Sequence, residues 1–115
     1  METTISASKT VKSFLKALND EDFKTARKYV NDDLKFIGIM GTRDDADTYI
    51  SDMEKMKFKY DIKKIFEDEN DVSVFYDINM SGPTIFSSGW YHLKNDKIST
   101  IKVIFDPRPL LEKKK

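Results

Sequence analysis

The spacing of apolar residues predicts three helices in the first half of the chain. In each of them, apolar side chains recur every three or four residues, as they do on one face of an α-helix. The first helix covers residues 4–18 and the second follows the polar run "NDED", while the third lies in "DDADTYISDMEKM". Thr3, Thr4 and Ser6 are candidate caps for the first helix. The pattern is set by Val11, Phe14, Leu15 and Leu18, then by Phe23, Ala26, Tyr29 and Val30, and then by Ala46, Tyr49, Ile50 and Met53.

From residue 58 onward the apolar period changes to two, which predicts strands. Apolar residues alternate from Phe58 to Ile62, but the next one is Ile65, so an extra residue near Lys63 and Lys64 predicts a bulge. Helices followed by a bent antiparallel sheet predict an α+β fold. Further strands are predicted at 72–80, 84–93 and 98–105, with one or two short strands in "LKFIGIMGT".

Composition narrows the classes of function. A chain of 115 residues is expected to form one domain over 1–115. Because 20 Lys and Arg balance 20 Asp and Glu, we expect no nucleic-acid or membrane partner. The absence of cysteine excludes thiol nucleophiles and thiolate zinc sites, and one histidine, His92, excludes a multi-histidine metal site. With no cysteine to form a disulfide, we expect a cytoplasmic protein, and with neither a leader pattern in "METTISASKT" nor an apolar run of membrane-spanning length, we expect it to be soluble.

Strand alternation predicts which side chains face the helices. A three-residue connection at "NDK" pairs Tyr91 with Ile101, whereas a two-residue turn pairs Tyr91 with Thr100 and brings Lys102 onto the apolar face. The first register is favoured because it keeps apolar side chains together. The expected inward set, apolar with a few hydroxyls like a small-molecule pocket, is Val74, Tyr76, Ile78, Ser87, Gly89, Tyr91, Leu93, Ile101, Val103 and Phe105, roofed by Phe14, Leu18, Tyr49 and Met53.

The opposite face of the sheet is predicted to carry large aromatic side chains. With "SGPT" as the turn, residue 77 pairs with about residue 88. A large apolar patch indicates an interface, so we expect a homodimer through this face. Asp77 and His92 can meet only diagonally, and we interpret them as polar interface residues rather than a catalytic dyad. The expected interface consists of Phe75, Asp77, Phe86, Trp90, His92 and Ile104.

Three polar motifs have alternative interpretations. Asp32 and Asp33 are either a catalytic acid pair or turn residues, and we favour a polar connection over residues 31–33 into the first strand. "DPRP" at 106–109 is interpreted as the end of the last strand. We interpret Asp44, Asp45 and Asp47 as charges at the start of a helix rather than as a metal cluster, because no glycine-rich calcium loop surrounds them.

Several segments together resemble the SnoaL-like branch of the nuclear transport factor 2-like (NTF2-like) superfamily. They are "VKSFLKALNDEDFKTARKYVNDDLKFIG", "GTRDDADTYI", "GWYHLKNDKISTIKVIFD" and "FDPRPLL", and the resemblance covers nearly the whole chain. It implies a cystatin-like cone in which three helices close over a strongly curved, mostly antiparallel sheet around an apolar cavity. It also implies a homodimer through the outer sheet face, but it does not choose an activity, because this scaffold carries many.

The resemblance implies that ketosteroid isomerase chemistry is missing. In those relatives the general base falls at about Ile37 or Gly38 of this sequence, the oxyanion-binding tyrosine near Phe14 and the second acid near Gly89. None of these side chains can perform the corresponding proton transfer or hydrogen bonding. We therefore expect purified protein to show no ketosteroid isomerisation in a spectrophotometric assay, and turnover well above background would contradict the residue matching.

Epoxide hydrolases of the superfamily activate water with two aspartates bridged by an arginine. Arg27 lies on the second helix, and no aspartate at an expected inward strand position pairs with it. We interpret it as a residue at the cavity rim with its charged head in solvent.

Two functions remain open. The favoured one is a domain that binds a small apolar or amphipathic molecule, which needs only a shaped cavity and a polar anchor, with no cofactor, no metal and no catalytic residue. The alternative is a SnoaL-like lyase, isomerase or cyclase acting on a small apolar, polyketide-like or steroid-like substrate through Arg27, Tyr60, Tyr76 or Tyr91. Expected ligand contacts are Phe14, Arg27, Tyr49, Tyr60, Tyr76, Ser87, Tyr91, Ile101, Val103 and Phe105.

Overall fold

Three helices pack on a six-stranded open sheet with the strand order β2-β1-β6-β5-β4-β3. The structure is a computed structural model that describes residues 6–39 and 41–109. Neighbouring strands are antiparallel except β1 and β6, which are parallel, so the predicted α+β class with a mostly antiparallel sheet is confirmed. The elements are α1 (Ala7–Asn19), α2 (Phe23–Lys28), β1 (Val30–Gly38), β2 (Gly41–Arg43), α3 (Ala46–Met56), β3 (Lys59–Asp68), β4 (Asp71–Asn79), β5 (Thr84–Lys94) and β6 (Lys97–Phe105).

Side-chain caps determine where the helices begin. Ser6, Asp22 and Asp45 each accept a hydrogen bond from the backbone N–H three residues later, at 3.2, 3.2 and 2.7 Å. These bonds satisfy N–H groups that have no partner inside the helix. Ser6 is thus the cap of α1, which begins at Ala7 rather than at residue 4; Thr3 and Thr4 lie outside the described residues. None of the described helices has the length and apolar character needed to cross a membrane.

Strand β1 begins earlier than the sequence pattern predicts. Residues 31–33, interpreted as a connection, belong to the strand Val30–Gly38. The reason is tertiary: Val30 pairs with Ile98 of β6, and the Ile98 N–H donates to the carbonyl of Tyr29 at 2.8 Å. Asp32 and Asp33 are exposed positions of this strand.

The β5–β6 hairpin has the favoured register but a different turn. Residues 94–97 enclose a two-residue turn whose central residues have φ of 56° and 66°, as a type I′ turn requires. Tyr91 nevertheless pairs with Ile101, because an irregularity next to His92 leaves Ser99 as an extra residue in β6. The predicted inward face is therefore right, while the predicted three-residue connection is wrong.

The predicted bulge in β3 is present, between Ile62 and Lys64. After the bulge, Ile65 pairs with an inward residue of β4 and Phe66 with an outward one. Phe66 therefore joins the aromatic side chains on the outer face, a consequence of the bulge that the sequence interpretation missed.

The β4–β5 pairing differs by two residues from the predicted one. Asp77 pairs with Phe86 rather than with about residue 88. Because side chains alternate with a period of two, this offset leaves every side chain on its predicted face. It does change the neighbours along the strands, since His92 now lies opposite Asp71.

Candidate functional site

An open pocket of about 280 Å³ lies between α3, the β1–β2 hairpin and residues at the ends of β3, β4 and β6. Its lining is largely apolar, and the three methionines among its described lining residues are flexible side chains that adapt to ligands of different shape. The described residues that line it are Phe36, Gly38, Ile39, Gly41, Arg43, Tyr49, Asp52, Met53, Met56, Phe58, Met80 and Phe105.

One face of α3 forms a wall of the pocket. Asp52 and Met53 come three and four residues after Tyr49, and Met56 comes three residues after Met53, a spacing that places side chains on one helix face. Tyr49 and Met53 are buried, whereas Met56 is exposed at the rim. The apolar pattern of this helix continues from Met53 to Met56, and including Met56 would have predicted this wall from the sequence.

The β1–β2 hairpin forms the opposite wall. The Phe36 ring packs against the Tyr49 ring, with 5.0 Å between their centroids. Gly41 has φ of 149°, a conformation that other residues rarely adopt. A Cβ at Gly38 would crowd the Phe36 ring. Gly41 thus permits the backbone conformation at the start of β2, and Gly38 leaves room for the Phe36 ring.

An ion pair lies at the mouth of the pocket. The Arg43 Nε–H donates to Asp52 Oδ2, and Arg43 Nη1 donates to the carbonyl of Thr42 at 2.7 Å. Among the described residues that line the pocket, Arg43 and Asp52 are the only ones with charged side chains. The sequence interpretation missed both, because they come from different elements and are brought together only by the tertiary fold.

Tyrosines fill the core beside the pocket. The Tyr76 and Tyr91 hydroxyls form a hydrogen bond at 2.7 Å, and the Tyr60 hydroxyl donates to Met53 Sδ at 3.5 Å. Burial raises the pKa values of Tyr49, Tyr60, Tyr76 and Tyr91. These phenols therefore remain protonated at neutral pH and can donate hydrogen bonds, but they are poor general bases.

Only some of the expected ligand contacts lie at the pocket. Tyr49 and Phe105 are among its lining residues. Tyr76, Tyr91 and Val103 face the helices as predicted, but they pack in the core instead of lining this pocket, so their expected placement needs correction. The same correction applies to Phe14, Tyr60, Ser87 and Ile101, which the structure places in the core or packed against it.

The Arg27 side chain also lies outside the pocket. Its Nε donates to Asp47 Oδ1 at 2.8 Å and its Nη2 to Asp32 Oδ1 at 2.7 Å. The hydrogen bond from Arg27 lowers the pKa of Asp32. The two aspartate side chains are 86% and 95% exposed, so this Asp–Arg–Asp arrangement faces bulk water instead of enclosing a substrate. Arg27 was expected to contact a ligand, but it lies on the surface, where its hydrogen bonds link α2, β1 and α3.

Large apolar side chains cover the sheet face opposite the helices. The Phe75 ring lies 6.3 Å from the Phe66 ring and 6.2 Å from the Phe86 ring, centroid to centroid, which makes an aromatic row across three strands. The exposed fractions are large, at 54% for Phe66, 60% for Phe86, 51% for Trp90 and 64% for Ile104. We call Phe66, Phe75, Phe86, Trp90 and Ile104 the outer aromatic face.

Polar contacts at the edge of this face differ from the predicted ones. Asp71 Oδ1 accepts from Trp90 Nε1 at 2.9 Å and lies 2.8 Å from His92 Nδ1. These two hydrogen bonds, that from Trp90 foremost, lower the pKa of Asp71. Asp77 instead lies 3.8 Å from Lys63 Nζ. Asp77 and His92 therefore contact other residues instead of each other, because the β4–β5 register is shifted by two residues, and their role as polar interface residues stays a prediction.

Comparison with solved structures identifies several similar proteins. An NTF2-like protein of unknown function from Cytophaga hutchinsonii is 50% identical, with a TM-score of 0.92 over 96% of this chain and 99% of that one. An LEH-like epoxide hydrolase from M. tuberculosis is 22% identical, with a TM-score of 0.79 over 92% and 86% of the two chains. An uncharacterised cystatin-fold protein from Novosphingobium aromaticivorans is 18% identical, with a TM-score of 0.80 over 88% and 99%. The last two show the fold alone, and no family model and no curated protein matches the chain.

Proposed function

The chain belongs to the NTF2-like superfamily. On that premise we propose that it is a small-molecule-binding domain. Because its sequence has no cysteine to form a disulfide, we propose that it acts in the reducing cytoplasm. The observation that carries the proposal is the open apolar pocket beside α3, with one ion pair at its mouth. Ligand pockets are typically apolar clefts with a few polar groups, and their volumes run from about 300 to 1,000 Å³. A pocket of about 280 Å³ fits a small, compact ligand.

Binding without catalysis is the better supported of the two functions. A lyase, isomerase or cyclase that removes a proton from its substrate needs a group in the pocket that can accept the proton. Among the described residues that line the pocket, the only carboxylate is Asp52, and it is paired with Arg43. Tyr49, the only phenol of the described lining, has a pKa raised by burial. The lining thus offers hydrogen-bond donors and shape rather than a base.

Methionine methyl groups provide a direct test of binding. Acetophenone, a compact probe with one carbonyl, is titrated into protein with ¹³C-labelled methionine methyls while NMR spectra are recorded. Because Met53, Met56 and Met80 line the pocket, their signals should shift together and saturate. Titration without a saturating shift of these three signals would contradict the proposed function.

Substitution at the rim provides a control. Met56→Glu should weaken acetophenone binding about tenfold, because it places a charge that prefers water beside an apolar ligand. Met56→Gln has the same length without the charge and should bind nearly as the wild type does. Equal affinities of the three proteins would place the probe elsewhere on the molecule.

We further propose that a second copy of the chain covers the outer aromatic face. Four of its five side chains are more than half exposed, which leaves a large apolar area in water for an isolated chain. One patch can serve both copies when they are related by a two-fold axis. Tryptophan and other aromatic side chains are frequent anchors of such interfaces.

A further inference from the structure

The ion pair at the mouth of the pocket is only partly in water. The Arg43 and Asp52 side chains are 40% and 20% exposed, and they come from β2 and α3 respectively. The remaining described lining residues are apolar apart from the glycines and the Tyr49 hydroxyl. A ligand that fills the pocket therefore meets both charges at its outer end.

Arg43 retains hydrogen-bonding capacity. A guanidinium has five N–H donors. In the described part of the chain, Arg43 directs one donor to Asp52 and one to the carbonyl of Thr42. The others are available to an acceptor atom on a ligand, and a hydrogen bond from a charged donor is stronger than one between neutral groups.

The opposite charges determine which ligand head group is favoured. A carboxylate attracted by Arg43 must also approach the carboxylate of Asp52, and an ammonium group attracted by Asp52 must approach Arg43. An ionic ligand therefore loses its hydration without meeting a net opposite charge. A ketone or alcohol gains a hydrogen bond from Arg43 and loses much less hydration.

Resting on the proposed binding function, we propose that the Arg43–Asp52 pair is the polar anchor of the pocket. It selects an uncharged, mainly apolar ligand that carries one hydrogen-bond acceptor and disfavours carboxylates and amines of the same size.

Four probes of similar size test this selection in the wild-type protein. Acetophenone, ethylbenzene, benzoate and benzylammonium are titrated separately, and the methyl signals of Met53, Met56 and Met80 are followed by NMR. Acetophenone should bind about tenfold more tightly than benzoate or benzylammonium, and severalfold more tightly than ethylbenzene. A benzoate or benzylammonium affinity equal to that of acetophenone would overturn the proposal.

Neutralising one partner should reverse the preference. Asp52→Asn leaves the Arg43 charge without its partner, so the affinity for benzoate should rise by more than about tenfold and exceed the affinity for acetophenone. Arg43→Gln leaves the Asp52 charge, so benzylammonium should gain instead. Asp44→Asn is the matched control, because Asp44 pairs with Lys35 at 3.8 Å on the exposed surface and should not affect the ranking.

The outcomes separate the anchor from the binding function itself. If no probe shifts the three methionine signals, the proposed function fails. If all four probes bind and Asp52→Asn leaves their order unchanged, the pocket binds ligands and the anchor is wrong. If either variant fails to fold, the wild-type ranking of the four probes decides.

Discussion

Trp90→Glu should convert the proposed dimer into a monomer at micromolar concentration. On a two-fold axis the substitution acts twice, because each copy would bury a new carboxylate against the apolar face of the other. Taking a carboxylate out of water costs several kcal/mol even when a cation lies nearby, which is enough to abolish an association of ordinary strength. Light scattering should give about twice the monomer mass for the wild type and the monomer mass for the variant.

The folded chain itself should tolerate Trp90→Glu. Trp90 is half exposed in the isolated chain, and Lys102 Nζ lies 4.9 Å from its ring centroid, so a carboxylate here lies in water beside a cation. Met56→Glu is the matched control, since it adds the same charge at an exposed apolar residue of α3. That variant should stay dimeric. A monomeric wild type, or a Trp90→Glu variant of dimer mass, would disprove the assignment of the interface.

Alternation along the strands predicts faces more firmly than it predicts neighbours. The β4–β5 register differs from the predicted one by two residues, yet Phe75, Phe86 and Trp90 all lie on the expected outer face. A period of two carries no information about which residue lies opposite, since turns and bulges decide that. The β5–β6 hairpin gives a second example: the extra residue was expected in the connecting loop, but it is Ser99 within β6.

The candidate site depends on contacts that no local pattern contains. The strand side chains that face the helices were predictable because burial follows the alternation. Which of them pack in the core and which line the pocket is decided by how the helices pack on the sheet. Arg43 and Asp52 lie on a short strand and on the following helix, and neither has a neighbour in sequence that indicates the pair. Arg27 was expected at the cavity rim, whereas its two aspartate partners hold it on the surface.

Gly89→Ala should lower the free energy of unfolding by about 1–3 kcal/mol, as overpacking of a core does. A Cβ at this position would overlap the Tyr76 hydroxyl and crowd the Tyr91 ring, and both rings are buried. Replacing a glycine in compatible backbone normally stabilises a protein by about 0.4–1 kcal/mol through the unfolded state, so the sign of the effect is itself diagnostic. Urea unfolding at one fixed protein concentration measures it.

A second substitution identifies the atom responsible. Tyr76→Phe alone should cost about 1–3 kcal/mol, because it leaves the buried Tyr91 hydroxyl without its partner. The double variant Gly89→Ala/Tyr76→Phe should lose much less unfolding free energy than the sum of the two single losses, since Tyr76→Phe removes the oxygen that the new Cβ meets. The coupling energy in the double-mutant cycle should therefore exceed about 1 kcal/mol. Tyr91→Phe breaks the same hydrogen bond but leaves the Tyr76 oxygen in place, so it should give no such rescue. Equal coupling with both tyrosine variants would show that loss of the hydrogen bond, rather than the packing of Tyr76 over Gly89, determines the effect.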